Sequence, residues 1–87
     1  MKIKSIGKNQ TILTFKSPEI SIYPKHITVF FSYETPVACY IGEQGYFKTR
    51  EKFSTTTTKH INKWLESEKA ETIHVKEQSF FNNLISK

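Results

Sequence analysis

Aspartate is absent from this 87-residue chain; all eight acidic residues are glutamate. Enzymes that work through bound magnesium hold it with clustered carboxylates. Here Glu34, Glu43 and Glu51 fall near expected turns, and Glu66, Glu68 and Glu71 near the expected end of a helix. A two-metal site is therefore not expected. Cysteine is nearly absent as well. Cys39 stands alone, which excludes an intrachain disulfide and fits a reducing compartment. The three glycines, Gly7, Gly42 and Gly45, are too dispersed to cradle a phosphate. No apolar run approaches the roughly 20 residues of a membrane span. The opening MKIKSIGKNQ has lysines with no apolar stretch behind them. A cytoplasmic protein without a membrane partner is expected.

The three histidines, His26, His60 and His74, fall in separate expected elements and show no metal-ligand spacing. Cys39 falls mid-strand, where a small buried hydrophobe is the default. With no acid, base or metal cluster, neither catalysis nor a cofactor is expected.

What is present is aromatic and basic. Hydrophobic residues make up only 37%, yet seven Phe, four Tyr and Trp64 supply bulk for one modest core. The length suits a single small α+β domain over residues 1–87, with the polar residues 1–9 read as flexible. Gln10–Lys16 and Glu19–Tyr23 read as strands broken by Ser17-Pro18 and Pro24. His26–Tyr33 reads as a strand with Ile27, Val29, Phe31 and Tyr33 on one face and Phe30 on the other. Pro36–Ile41 follows, with Val37, Cys39 and Ile41 sharing a face. The loop Gly42–Gly45 then returns the chain into Tyr46–Arg50.

Ser54 suits a helix N-cap. Ile61, Trp64 and Leu65 have helical spacing, and Thr57 or Thr58 extends their stripe back one turn. A helix over Thr55–Glu68 is expected, with Trp64 in the core. Thr72–Val75 reads as a short strand and Ser79–Ile85 as a short helix. The expected fold is an antiparallel β-meander of about four to five strands packed against one amphipathic helix. A short C-terminal strand and helix complete it.

The positive charge is focused. Lys48, Arg50, Lys52, Lys59 and Lys63 face the single acid Glu51 within one segment, a net +4 of the chain's formal +5. Extended as a strand, Tyr46–Phe53 would put Tyr46, Lys48, Arg50 and Lys52 on one face. A ring beside a row of cations suits single-stranded nucleic acid, with phosphates on the cations and a base on the ring. Lys59 and Lys63 repeat one helical turn apart, and a helix N-terminus adds partial positive charge.

Two segments, FSYETPVACYI (Phe31–Ile41) and KFSTTTTKHINKWL (Lys52–Leu65), carry a resemblance. Ser32, Tyr33, Thr35, Val37 and Ala38 match a strand pattern of a family of small proteins from bacteriophages, plasmids and related mobile elements. Lys52, Ser54, Thr56, Thr57, Lys59, His60, Ile61 and Asn62 match that family's helix-start pattern. The resemblance covers about the middle half of the chain. It implies a small cytoplasmic accessory protein of unknown function. Lys59, His60 and Asn62 fall off the expected core stripe and join the basic residues as candidate surface.

Two partners follow. The first is DNA or RNA, with Tyr46 stacking a base, Lys48, Arg50, Lys52, Lys59 and Lys63 on phosphates, and His60 and Asn62 hydrogen-bonding. The second is a host or anti-phage defence protein, which the chain would inhibit or adapt in an anti-CRISPR-like manner. Inhibitors that imitate nucleic acid are acidic, so this basic chain would need an acidic or apolar target. It would reach that target through the Phe80/Phe81 tail or an edge strand. An open edge would also offer a route to a homodimer.

Overall fold

The computed structural model describes residues 2–16, 26–42 and 44–85. In chain order its elements are β1 (Lys2–Gly7), β2 (Gln10–Lys16), β3 (His26–Ser32), β4 (Thr35–Ile41), β5 (Gly45–Thr49), α1 (Thr55–Ser67), β6 (Ile73–Lys76) and α2 (Gln78–Ile85). The strands form one sheet in the order β1-β2-β3-β4-β5-β6. β1 to β5 are an antiparallel meander, and β6 pairs with β5 in parallel after the α1 crossover. The α+β class is as expected. The described meander has five strands where about four to five were expected, the expected short C-terminal strand joins it as β6, and the C-terminal helix packs as a second helical layer. The expected strand Glu19–Tyr23 lies outside the described residues.

Alternation along the strands divides the core in two. Ile27, Val29, Cys39, Ile41 and Phe47 gather on one face beneath Phe81 of α2, with Phe15, Phe31, Phe80 and Leu84 packed around them. Phe30, Val37 and Ala38 gather on the other face beneath Ile61, Trp64 and Leu65 of α1. Phe30 stacks on Trp64 with centroids 5.2 Å apart and planes 11° apart, which places Trp64 in the core as expected. Val37 breaks the expected alternation with Cys39 and Ile41. Phe30 pairs with Ala38 but Phe31 pairs with Pro36, so the register shifts there. The extra residue on β4 is Val37, and the bulge turns it toward α1.

Residues 2–7, expected to be flexible, are β1. Lys2 to Ser5 pair with Thr14 to Thr11 of β2, and every β1 residue is exposed. A lysine-rich edge strand buries little apolar surface, so its hydrophobic pattern is weak. The expected strand through Arg50 also ends early, at Thr49. Tyr33 lies beyond β3, in the β3–β4 turn at φ 59°, and its N–H donates to the Asn9 carbonyl at 2.7 Å.

Helix α1 begins as its sequence suggests. Ser54 is the N-cap, and its hydroxyl accepts from the Thr57 N–H at 3.2 Å. Thr57, Ile61, Trp64 and Leu65 are the buried stripe. The helix ends in a Schellman motif. Lys69 takes φ 56°, the Ala70 N–H donates to the Leu65 carbonyl, and the Lys69 N–H donates to the Glu66 carbonyl, each at 3.0 Å. Among the described residues, no helix is long and apolar enough to cross a membrane.

Candidate nucleic-acid interface

Because β5 stops at Thr49, residues 50–54 form a loop from β5 into α1. Both ends of this loop are anchored. The Thr49 hydroxyl donates to Gln78 Oε1 at 2.8 Å and accepts from the Glu51 N–H at 3.1 Å. The Arg50 N–H donates to the Lys76 carbonyl at 2.8 Å, tying the loop's start to the end of β6. Gln78 in turn donates from Nε2 to the Pro36 carbonyl at 2.7 Å. At the far end, Ser54 caps α1.

The loop, the outer flank of α1 and β6 enclose a groove of about 540 Å³. Lys48 enters from β5, Arg50, Lys52 and Phe53 from the loop, Asn62 from α1 and Val75 from β6. Thr55 and Thr58 add hydroxyls from the first two turns of α1, and Glu51 is the one acid on the lining. The first turn of α1 carries no acidic residue, so its partial positive charge is uncompensated there. Arg50 Nη1 lies 3.9 Å from Glu77 Oε1, with both side chains about 70% exposed. An ion pair so exposed contributes little, and it leaves the guanidinium available to a stronger anion.

Four of the eight expected site residues therefore meet in one groove: Lys48, Arg50, Lys52 and Asn62. Lys59 and Lys63 are exposed one turn apart on the outward ridge of the same helix. His60 is on the opposite flank of α1 from Asn62. Its Nδ1 lies 2.9 Å from Ser32 Oγ and its ring 6.0 Å from that of Tyr33. Ser32 also donates to Thr57 Oγ1 at 3.1 Å. At 2% exposure, the Ser32 hydroxyl fastens β3 to α1 and is out of reach of a substrate.

Tyr46 is also outside the groove. Its ring packs against Tyr40 at 4.8 Å and Trp64 at 5.9 Å, under the far end of α1. Its hydroxyl donates to Glu68 at 3.4 Å, to carbonyl and carboxylate alike. Burial pushes the Tyr46 phenol up from its ordinary pKa, and the Glu68 carboxylate adds to the shift. Tyr46 completes the core beneath α1, which leaves its ring unavailable as an open platform.

The groove does hold an aromatic ring, that of Phe53, which is 40% exposed. Strand alternation placed Phe53 on the face opposite the cations. The signal that finds it is the capping pattern. Phe53 directly precedes the N-cap, where an apolar residue usually packs against the fourth helical position. That position is Thr58, which gives Phe53 little apolar cover. His26 and His74 remain apart from His60; His26 is exposed at the start of β3, and His74 packs on Phe47 at 5.1 Å.

The family of unknown function DUF8033 matches residues 1–83, and the chain belongs to that family. The match runs well past the middle segments Phe31–Ile41 and Lys52–Leu65. No curated protein and no protein of known structure matches the chain.

Proposed function

We propose that this member of the DUF8033 family is a non-enzymatic accessory protein of a phage or mobile element that binds DNA or RNA in the host cytoplasm. The observation that supports this reading is the gathering of Lys48, Arg50 and Lys52 around one groove with Asn62, Thr55 and Thr58. Cations neutralise phosphates and release their counterions, while amide and hydroxyl groups hydrogen-bond the backbone. Lys59 and Lys63 extend the positive field along the adjoining ridge. Fluorescence anisotropy of labelled DNA and RNA oligonucleotides at several salt concentrations tests the reading. Binding that weakens steeply as salt rises supports it, and no binding at low salt rejects it.

A second reading has its own support. β1 and β6 are the outer strands of the described sheet, and each has one unpaired edge. Beside β1, the residues Ile3, Leu13, Phe31 and Tyr33 line an apolar hollow of about 270 Å³. Such features suit strand addition by a protein partner, whether a host or defence protein or a second copy of this chain. Size-exclusion chromatography with light scattering separates the copy from the monomer. Binding of a defined partner that is lost when proline is placed in β1 or β6 would favour this reading.

A further inference from the structure

We infer that Phe53 is a base-stacking residue that makes the groove selective for single strands over duplexes. The inference rests on the nucleic-acid reading of the groove and names the substrate class within it. Phe53 is the aromatic ring that lines the groove, among Lys48, Arg50 and Lys52. Tyr46, by contrast, is committed to Tyr40 and Trp64. Among the described residues, no aromatic partner covers the Phe53 ring, and 40% of the residue is exposed. Val75, 46% exposed, brings a further exposed apolar side chain from β6 to the same groove, beside the buried Ile61 of α1.

A ring in this setting can meet a base only if the base leaves its neighbours. Bases in a duplex are stacked and paired inside the helix, with phosphates outermost. Bases of a single strand can be splayed onto an aromatic side chain while the backbone follows a cationic track. The volume of about 540 Å³ lies within the range of roughly 300–1,000 Å³ typical of clefts for small ligands. That scale fits a single nucleotide. Because every base has a stacking face, selectivity here concerns strandedness and not sequence.

The test uses the whole chain with labelled 12-nucleotide oligo-dT, oligo-U and a 12-base-pair duplex, comparing wild type, Phe53→Ala, Phe53→Trp and Lys48→Glu/Arg50→Glu. The two single strands separate DNA from RNA as the source of the base. We expect single strands to bind more tightly than the duplex. Phe53→Ala should weaken single-strand binding by roughly 5- to 150-fold, as expected for loss of one stacked base. Its salt slope should stay unchanged, and Phe53→Trp should restore affinity. Thermal unfolding checks that each variant folds; Phe53 is exposed enough for alanine to be tolerated. If Phe53→Ala leaves single-strand affinity unchanged, or weakens single strand and duplex alike, the stacking role is overturned. Should Lys48→Glu/Arg50→Glu still abolish binding in that case, the basic groove survives without it. Absence of binding by wild type to any of the three overturns both.

Discussion

Ser32 Oγ and His60 Nδ1, 28 residues apart in the chain, lie 2.9 Å from one another across the junction of β3 and α1. The same hydroxyl donates to Thr57, whose Oγ1 also accepts from Ser54 at 3.3 Å. With the Ser32 proton directed to Thr57, the imidazole N–H on Nδ1 donates to Ser32 and Nε2 is left free of this network. The cap of α1, its buried stripe and the end of β3 are thus joined through a few hydroxyls. This junction holds the helix whose other flank forms the groove.

Ser32→Ala should therefore destabilise the fold by about 1–3 kcal/mol, because Thr57 and His60 lose a buried partner. Urea denaturation measures the loss. A double-mutant cycle with His60→Ala should show coupling of at least about 0.5 kcal/mol. Additive effects would mean that the contact stabilises neither element.

Cys39 is buried between the β3 and β5 pairs and beneath α2, and burial pushes its thiol up to about 12 from 9.0. A thiol so held stays neutral and unreactive. The native protein should resist a thiol-specific reagent at neutral pH and react once denaturant unfolds it. The sign of the pH effect follows. The shift favours the native state fully below pH 9.0, where both states hold the proton. Between pH 9.0 and about 12 the unfolded chain loses the proton first, so stability should fall by up to about 1.4 kcal/mol per pH unit. The raised Tyr46 phenol acts in the same direction at alkaline pH. Rapid labelling of native Cys39 would contradict its burial.

Lys69 occupies the left-handed position of the α1 Schellman motif at φ 56°. Glycine carries no side-chain penalty there, although it also gains freedom in the unfolded chain. Lys69→Gly should therefore stabilise the protein by about 0.5–1 kcal/mol. Thermal unfolding gives the answer, and a lower Tm would show that the Lys69 side chain contributes more than its backbone strain costs.

The parts of this fold that were legible in the sequence are those where one local pattern dominates. Ser54 before a helical stripe of Thr57, Ile61, Trp64 and Leu65 fixes α1 to within a residue. Ile27, Val29 and Phe31 fix the orientation of β3. The misreadings share a physical origin. Arg50 and Lys52 continue the alternation of Tyr46 and Lys48, yet a run of polar residues alternates equally well in a loop, and the Glu51 N–H turns back to the Thr49 hydroxyl where the strand ends. β1 has two isoleucines among lysines, too few to signal an edge strand. Val37 was misplaced because a bulge is a property of two strands together. That Tyr46 packs under α1 while Phe53 lines the groove was hidden for the same reason. Which ring α1 covers depends on where the helix lies across the sheet, and that is set by Phe30, Ala38 and Trp64.

The groove cations and the ridge cations make different contributions if the groove is the contact surface. The most direct measurement compares wild type, Lys48→Glu/Arg50→Glu and Lys59→Glu/Lys63→Glu for single-strand binding across a salt series. With each phosphate contact contributing about 0.7 to the logarithmic salt slope, the groove pair should reduce that slope by about 1.4. It should also weaken binding more than tenfold at about 50 mM salt. The ridge pair should produce a smaller loss of affinity. Equal losses for the two pairs would spread the interface over the helix ridge, and an affinity unchanged by Lys48→Glu/Arg50→Glu would contradict the groove as a nucleic-acid site.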